Sequence, residues 1–142
     1  MLYFDTSFMV PYVLPEAASN RIQQFFKEHS GEDLAISQWT RVEFLSTLAR
    51  QVRMGALSEQ AARDADIRFE NAIDQSFIVV RPNRNDFDLC KHYLRQFETD
   101  LRAGDALHLA IANNRGVRTF YSLDKKLLRA GRLLGLPVAG IR

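Results

Sequence analysis

Residues 101–128 read Leu-Arg-Ala-Gly-Asp-Ala-Leu-His-Leu-Ala-Ile-Ala-Asn-Asn-Arg-Gly-Val-Arg-Thr-Phe-Tyr-Ser-Leu-Asp-Lys-Lys-Leu-Leu. Asp105 opens a helix on which Leu107, Leu109 and Ile111 lie. Thr119–Tyr121 is a short strand-like run. Asp124 follows it, and Leu127, Leu128, Leu133 and Leu134 belong to a final helix. Helix, strand and helix in close succession is the signature of an α/β unit. Working outward, Leu2–Phe4, Leu34–Ile36, Phe77–Val80 and Pro137–Ala139 are further short apolar runs bounded by polar residues, Gly or Pro. They read as buried strands. Between them, Val42, Leu45, Ala49 and Val52 recur at helical spacing, as do Ala62, Ala65, Phe69 and Ile73, and then Phe87, Cys90 and Leu94. Gly55 and Ser58 break the first two of these apart. The expectation is an α/β domain with a mostly parallel sheet of four to five strands. A helical hairpin over about 38–75 packs on the sheet or projects from it. The four prolines punctuate elements.

In such sheets, function gathers at the carboxyl ends of the strands. Asp5 ends the first strand, and Asp124 lies just past a later one. Asp105 opens a helix, and Glu43 lies one turn into the helix after the second strand. The doubly wound arrangement brings all four to one edge. Converging carboxylates repel unless something compensates them, and hard divalent cations do so. Each acid also has a plainer reading. Asp5, Asp105 and Asp124 suit Asx turns or helix N-caps. Glu43 suits an exposed helical stripe with Thr47 and Arg50.

The chain has 142 residues, 46% of them hydrophobic and 25% charged, which is ordinary globular composition for one domain spanning 1–142. The single cysteine, Cys90, excludes an internal disulfide framework and a multi-cysteine zinc site. Asp5 interrupts the apolar start, which lacks the basic lead-in of a secretory signal, and no apolar run is long enough to span a membrane. A cytoplasmic location is expected. Net charge is only +2, yet residues 101–142 hold eight Lys/Arg against two Asp, and the first hundred residues hold eleven bases against fifteen acids. That basic end suits a polyanion partner or, equally simply, a solvated helix face.

The series Leu2-Tyr-Phe-Asp5-Thr-Ser, Glu43, Gly104-Asp105-Ala-Leu-His-Leu-Ala and Ser122-Leu-Asp124-Lys resembles, over the whole chain, a PIN-domain ribonuclease, and more narrowly the VapC-type toxins of bacterial toxin–antitoxin pairs. The resemblance implies a three-layer α/β/α sandwich. It also implies a metal-dependent endoribonuclease that cleaves structured RNA through a metal-activated water, leaving a 5′-phosphate and a 3′-hydroxyl. By the family pattern, Asp5, Glu43, Asp105 and Asp124 form the acidic pocket. Asp5 and Asp105 would be direct Mg²⁺ or Mn²⁺ ligands. Glu43 and Asp124 would bind directly, through water, or to a second ion. Thr6 and Ser122 would hydrogen-bond carboxylates or waters, or merely shape turns. Outside the four acids the chain carries a net +6. Lys125, Lys126, Arg129 and Arg102 are the candidate RNA contacts, against solvated charges as the plainer reading. A small cognate antitoxin and a homodimer are further implications, with the antitoxin groove expected on the 38–75 hairpin.

Other residues read as structural. His108 lies on the same helical face as Asp105 but is expected to be packed or hydrogen-bonded. His29 and His92 have no partner at metal spacing. Trp39, Phe44, Phe69 and Phe87 are expected in the core or a dimer face, and Cys90 in the core. Two rivals stand beside the nuclease. One is a PIN-like module that grips RNA or a partner without cutting. The other is a haloacid-dehalogenase-like phosphatase, whose second Asp would fall at Ser7 and whose later acid would fall near His108-Leu109.

Overall fold

The computed structural model describes residues 1–141. In chain order it contains β1 (Leu2–Phe4), α1 (Thr6–Val13), α2 (Ser19–Glu28), β2 (Leu34–Ser37), α3 (Gln38–Arg53), α4 (Glu59–Ser76), β3 (Ile78–Val80), α5 (Arg84–Leu94), a 3-10 turn (Phe97–Thr99), α6 (Ala103–Asn114), β4 (Thr119–Tyr121), α7 (Lys125–Leu133) and β5 (Val138–Ala139). The five strands form one sheet, ordered β3-β2-β1-β4-β5, and every pairing is parallel. The chain winds outward from β1 through β2 to β3, then returns to the other side of β1 for β4 and β5. The winding therefore reverses between β1 and β4, the place where α/β sheets open a crevice. Phe4 is in register with Tyr121 there, so Asp5 and the segment after Tyr121 leave the sheet side by side.

Side-chain alternation along β1 sorts the two layers. Leu2 and Phe4 join Leu34, Ile36 and buried residues of α1, α2, α3 and α4 on one face. Tyr3 joins Ala35, Phe120 and residues of α5, α6 and α7 on the other. With both faces covered, the central strands need no polar side, which is why they read as unbroken apolar runs. The α3–α4 hairpin turns at Gly55, whose φ of +75° favours glycine, and Phe44 stacks on Phe69 at 3.9 Å between the two helices.

Some details differ from the sequence reading. Two helices, α1 and α2, fill the crossover from β1 to β2, where spacing assigns none, and Pro11 falls inside α1 instead of ending it. α3 buries Thr40, Phe44 and Leu48, while Val42 and Leu45 of the apolar stripe are 58% and 51% exposed. α5 turns Asp86, Cys90 and Tyr93 inward and leaves Phe87 exposed. In both helices, packing chose a different stripe from the most apolar one. Phe77 closes α4 and does not begin β3.

Candidate active site at the carboxyl edge of the sheet

Asp5 caps α1. Its Oδ1 accepts hydrogen bonds from the Ser7 hydroxyl at 2.7 Å and the Phe8 amide at 3.2 Å, and its Oδ2 accepts from the Ser122 hydroxyl at 2.8 Å. The carboxylate is buried. Burial pushes its pKa up, against the pull of His108 and of these donors. Asp124 likewise caps α7, its Oδ1 accepting from the Lys126 and Leu127 amides at 2.9 and 3.3 Å. The Ser122 hydroxyl also accepts from the Asp124 amide at 3.0 Å, so this one side chain ties the two acids together across the β1–β4 crevice. Capping and membership of an acidic site are therefore compatible at Asp5 and Asp124. Asp105 caps nothing: it is the third residue of α6, whose N-cap position is Arg102.

Glu43 is not part of an exposed stripe. Its Oε1 accepts from the Thr6 hydroxyl at 2.6 Å and meets His108 Nε2 at 2.5 Å. Burial pushes its pKa up, but the bonds to His108 and Thr6 outweigh that and hold it below the usual range. Its Oε2 has no hydrogen-bond partner among the described residues and lies against Gly104. A Cβ on that glycine would stand 2.8 Å from Oε2 and 3.3 Å from the Trp39 ring. A larger residue here would have to displace the Glu43 carboxylate or the Trp39 ring, where two helices approach closely. Trp39 fixes the approach by donating its indole N–H to the Gly104 carbonyl at 3.2 Å.

Asp105 has no hydrogen bond to protein among the described residues. Its carboxyl is pushed up to about 6 by burial first, then by the charges of Asp124 and Asp5. The four acids thus share one electrostatic neighbourhood. A cleft of about 350 Å³ is lined by Asp105 and Asp124 with Asp100, Arg102 and Lys126, while Asp5 and Glu43 lie outside its lining. Lys125 and Arg129, exposed on α7, lie outside that lining. The sharp bend that leads into the cleft is Asp100, at φ +57°, the one described non-glycine residue in the left-handed region.

As they stand, no three acid, imidazole or thiol groups among the described residues converge closely enough to grip one ion. The chemistry of the donors nonetheless fits a hard divalent cation. All four are carboxylates, Asp105 has no hydrogen bond to protein among the described residues, and repulsion from neighbouring carboxylates is what a cation relieves.

Two residues of this site lie outside the set the sequence proposes. Ser7, the position a phosphatase of the rival class would fill with Asp, instead donates to Asp5 and accepts from the Leu123 amide at 3.0 Å. Its signal was the Asp-Thr-Ser turn pattern. His108 is hydrogen-bonded, as expected, but its partners are Glu43 and Tyr3, which spacing along one helix does not reveal.

Residues 2–133 match the PIN domain family. No curated protein sequence matches significantly. Among solved structures, the chain is similar to VapC20 of Mycobacterium tuberculosis, described as a sarcin-ricin loop cleaving toxin, at 19% identity and TM-score 0.72, covering 92% of this chain and 95% of that one. It is similar to FitAcB from Neisseria gonorrhoeae at 18% identity and TM-score 0.74, over 100% and 97% of the two chains. It is also similar to VapBC2 from Rickettsia felis, bound to a DNA fragment from the promoter of that pair, at 11% identity and TM-score 0.75 over 100% of each chain. At these identities the likeness is one of fold.

Proposed function

Because the chain belongs to the PIN-domain family, we propose that it is a metal-dependent endoribonuclease and the toxin of a toxin–antitoxin pair. The observation that carries the reading is Asp105: a half-buried carboxylate raised to about 6 by burial and then by the charges of Asp124 and Asp5, with no hydrogen bond to protein among the described residues. PIN-domain nucleases generally use divalent ions. When bound, Mg²⁺ or Mn²⁺ supplies an activated water and stabilises charge on the leaving oxygen. Asp5 and Asp105 are the direct holders, and Glu43 and Asp124 bind directly, through water, or to a second ion. Ser122, Ser7 and Thr6 fix the carboxylates by donating hydroxyl protons to them. Arg102 and Lys126, which line the cleft, contact the RNA backbone, with Lys125 and Arg129 extending the basic track along α7. A structured RNA is the substrate class.

The partner is a small antitoxin. Support comes from the VapBC2 neighbour and from an apolar groove of about 310 Å³ between α3 and α4, walled by Leu45, Ala49, Val52 and Ala62 and rimmed by Arg53, Glu59, Arg63 and Asp66. A basic antitoxin side chain reaching the acidic pocket would hold the enzyme inactive. A homodimer accompanies this reading, supported by exposed Phe87 and Phe97. None of the described helices is long and apolar enough to cross a membrane, which accords with a cytoplasmic site of action.

Cleavage of total cellular RNA by purified protein free of antitoxin tests the proposal. Discrete products are expected with Mg²⁺ or Mn²⁺, and none with EDTA or in the Asp5→Asn and Asp105→Asn variants. Equal activity in wild type and variants would remove the site assignment. Metal-dependent RNA binding without cleavage would favour the binding module.

A further inference from the structure

Tyr3 is the middle residue of β1 and is wholly buried. Its ring stacks on Phe120 at 5.4 Å and meets the His108 ring edge-on at 5.8 Å. Packing alone would be served by phenylalanine. The hydroxyl adds a polar atom whose burial is costly unless it is hydrogen-bonded. It is satisfied twice: it donates to Ser37 Oγ at 2.9 Å and lies 2.7 Å from His108 Nδ1. Ser37, also wholly buried, forms with Thr40 the capping box that starts α3, the helix carrying Glu43. The other ring nitrogen of His108 meets Glu43 Oε1. A continuous buried thread therefore runs from the start of α3, through the centre of the sheet, to α6, and back to a carboxylate of α3.

We infer that Tyr3 and His108 are positioning residues for Glu43. With Thr6 they occupy one carboxylate oxygen and hold the other beside Gly104, at the start of the helix that presents Asp105. The Mn²⁺ arm of the test below rests on the metal-nuclease reading, and the spectroscopic arm does not. Residues that orient a metal-holding carboxylate typically change metal affinity about 10–100-fold when altered.

The experiment uses the full chain. Proton NMR of the wild type is expected to show a low-field imidazole N–H resonance that disappears in His108→Gln. Tyr3→Phe and Glu43→Gln should each shift or remove it while thermal melts remain cooperative. In Mn²⁺ titrations, Tyr3→Phe and His108→Gln should each weaken binding by about tenfold or more. In a Glu43→Gln background, neither should weaken it further. The inference is overturned if the ring proton is absent from wild type or indifferent to Tyr3→Phe, or if the affinity losses add in full to that of Glu43→Gln. If wild type binds no Mn²⁺, the metal reading fails and the ring proton alone decides whether the relay exists.

Discussion

Asp86 and Asp105 are the same residue type, in neighbouring helices, under opposite electrostatics. Asp86, wholly buried, accepts from Arg115 at 2.5 Å, from the Asn114 side chain at 2.8 Å and from the Asn83 amide at 2.8 Å. Burial pushes its pKa up, but Arg115 and the other donors outweigh it and hold the carboxyl below the usual range. Asp105 lacks protein donors and is raised to about 6 by burial and like charges. A carboxylate compensated by the chain's own cation belongs to the fold and locks α5 to α6. One left uncompensated bears the repulsion of its neighbours, which, under the proposed function, a divalent cation would relieve.

The largest expected effect breaks the compensated side. Asp86→Ala removes one partner of a buried pair, which typically costs about 3–5 kcal/mol, and the slight exposure of Arg115 places this case toward the lower end. Urea denaturation at pH 7 reads the loss directly. Because the folded pKa of Asp86 lies below its unfolded value, its stabilisation is fully present above the ordinary Asp range and is lost as pH falls through the folded value. Wild type and variant should therefore converge in acid. A loss independent of pH would mean that packing, not the ion pair, holds the α5–α6 seam.

The uncompensated side should respond with the opposite sign. Between the ordinary value of 3.8 and about 6, folded Asp105 binds more proton than the unfolded chain does, so stability falls as pH rises through that window. Asp105→Asn removes the penalty. After allowance for solvent screening of a half-exposed group, metal-free protein should gain about 1–2 kcal/mol at pH 7, and the gain should vanish near pH 4. The same variant should lose RNA cleavage by about a hundredfold or more. Melts without metal at the two pH values, run beside the cleavage assay, check both halves. A variant both less stable and inactive would show that Asp105 has a structural partner.

Gly104→Ala probes the same edge more gently. Alanine in a helix normally gains about 0.5–1 kcal/mol over glycine. Here the new Cβ meets Glu43 Oε2, and Glu43 cannot easily retreat because Thr6 and His108 hold its other oxygen. The two effects should nearly cancel in stability, to within about 1 kcal/mol, while cleavage drops about tenfold or more. Unchanged cleavage would mean that Glu43 has room to move without consequence.

These contrasts also explain what the sequence could reveal. The strands were legible because each is short, apolar and bounded by polar or turn residues. The acids were legible because a strand's carboxyl end is a fixed place in this topology. Asp86 was not, because its capping partner Asn83 is local but its cation, Arg115, comes from the far end of another helix. His108 shows its helical neighbour Asp105 in the sequence, but not Tyr3, 105 positions away. The inward face of α3 departs from the most apolar stripe for a related reason. Thr40, buried there, serves the capping box with Ser37, and the more apolar stripe points outward.

That outward stripe gives the smallest expected effect on the fold and the sharpest test of why it exists. Val42 and Leu45 are more than half exposed, so the double variant Val42→Ser, Leu45→Ser removes little buried area, and its stability should stay within about 0.5 kcal/mol of wild type. If the stripe is the antitoxin's seat, the same change should leave cleavage by the isolated protein intact and weaken inhibition by the cognate antitoxin about tenfold or more, since exposed apolar patches persist where a partner covers them. Titrating antitoxin into the cleavage reaction separates the two readouts. Undiminished inhibition would move the docking face elsewhere. A large stability loss would mean instead that the stripe is already covered, by a second copy of the chain, and light scattering of the variant would then show a smaller particle than wild type.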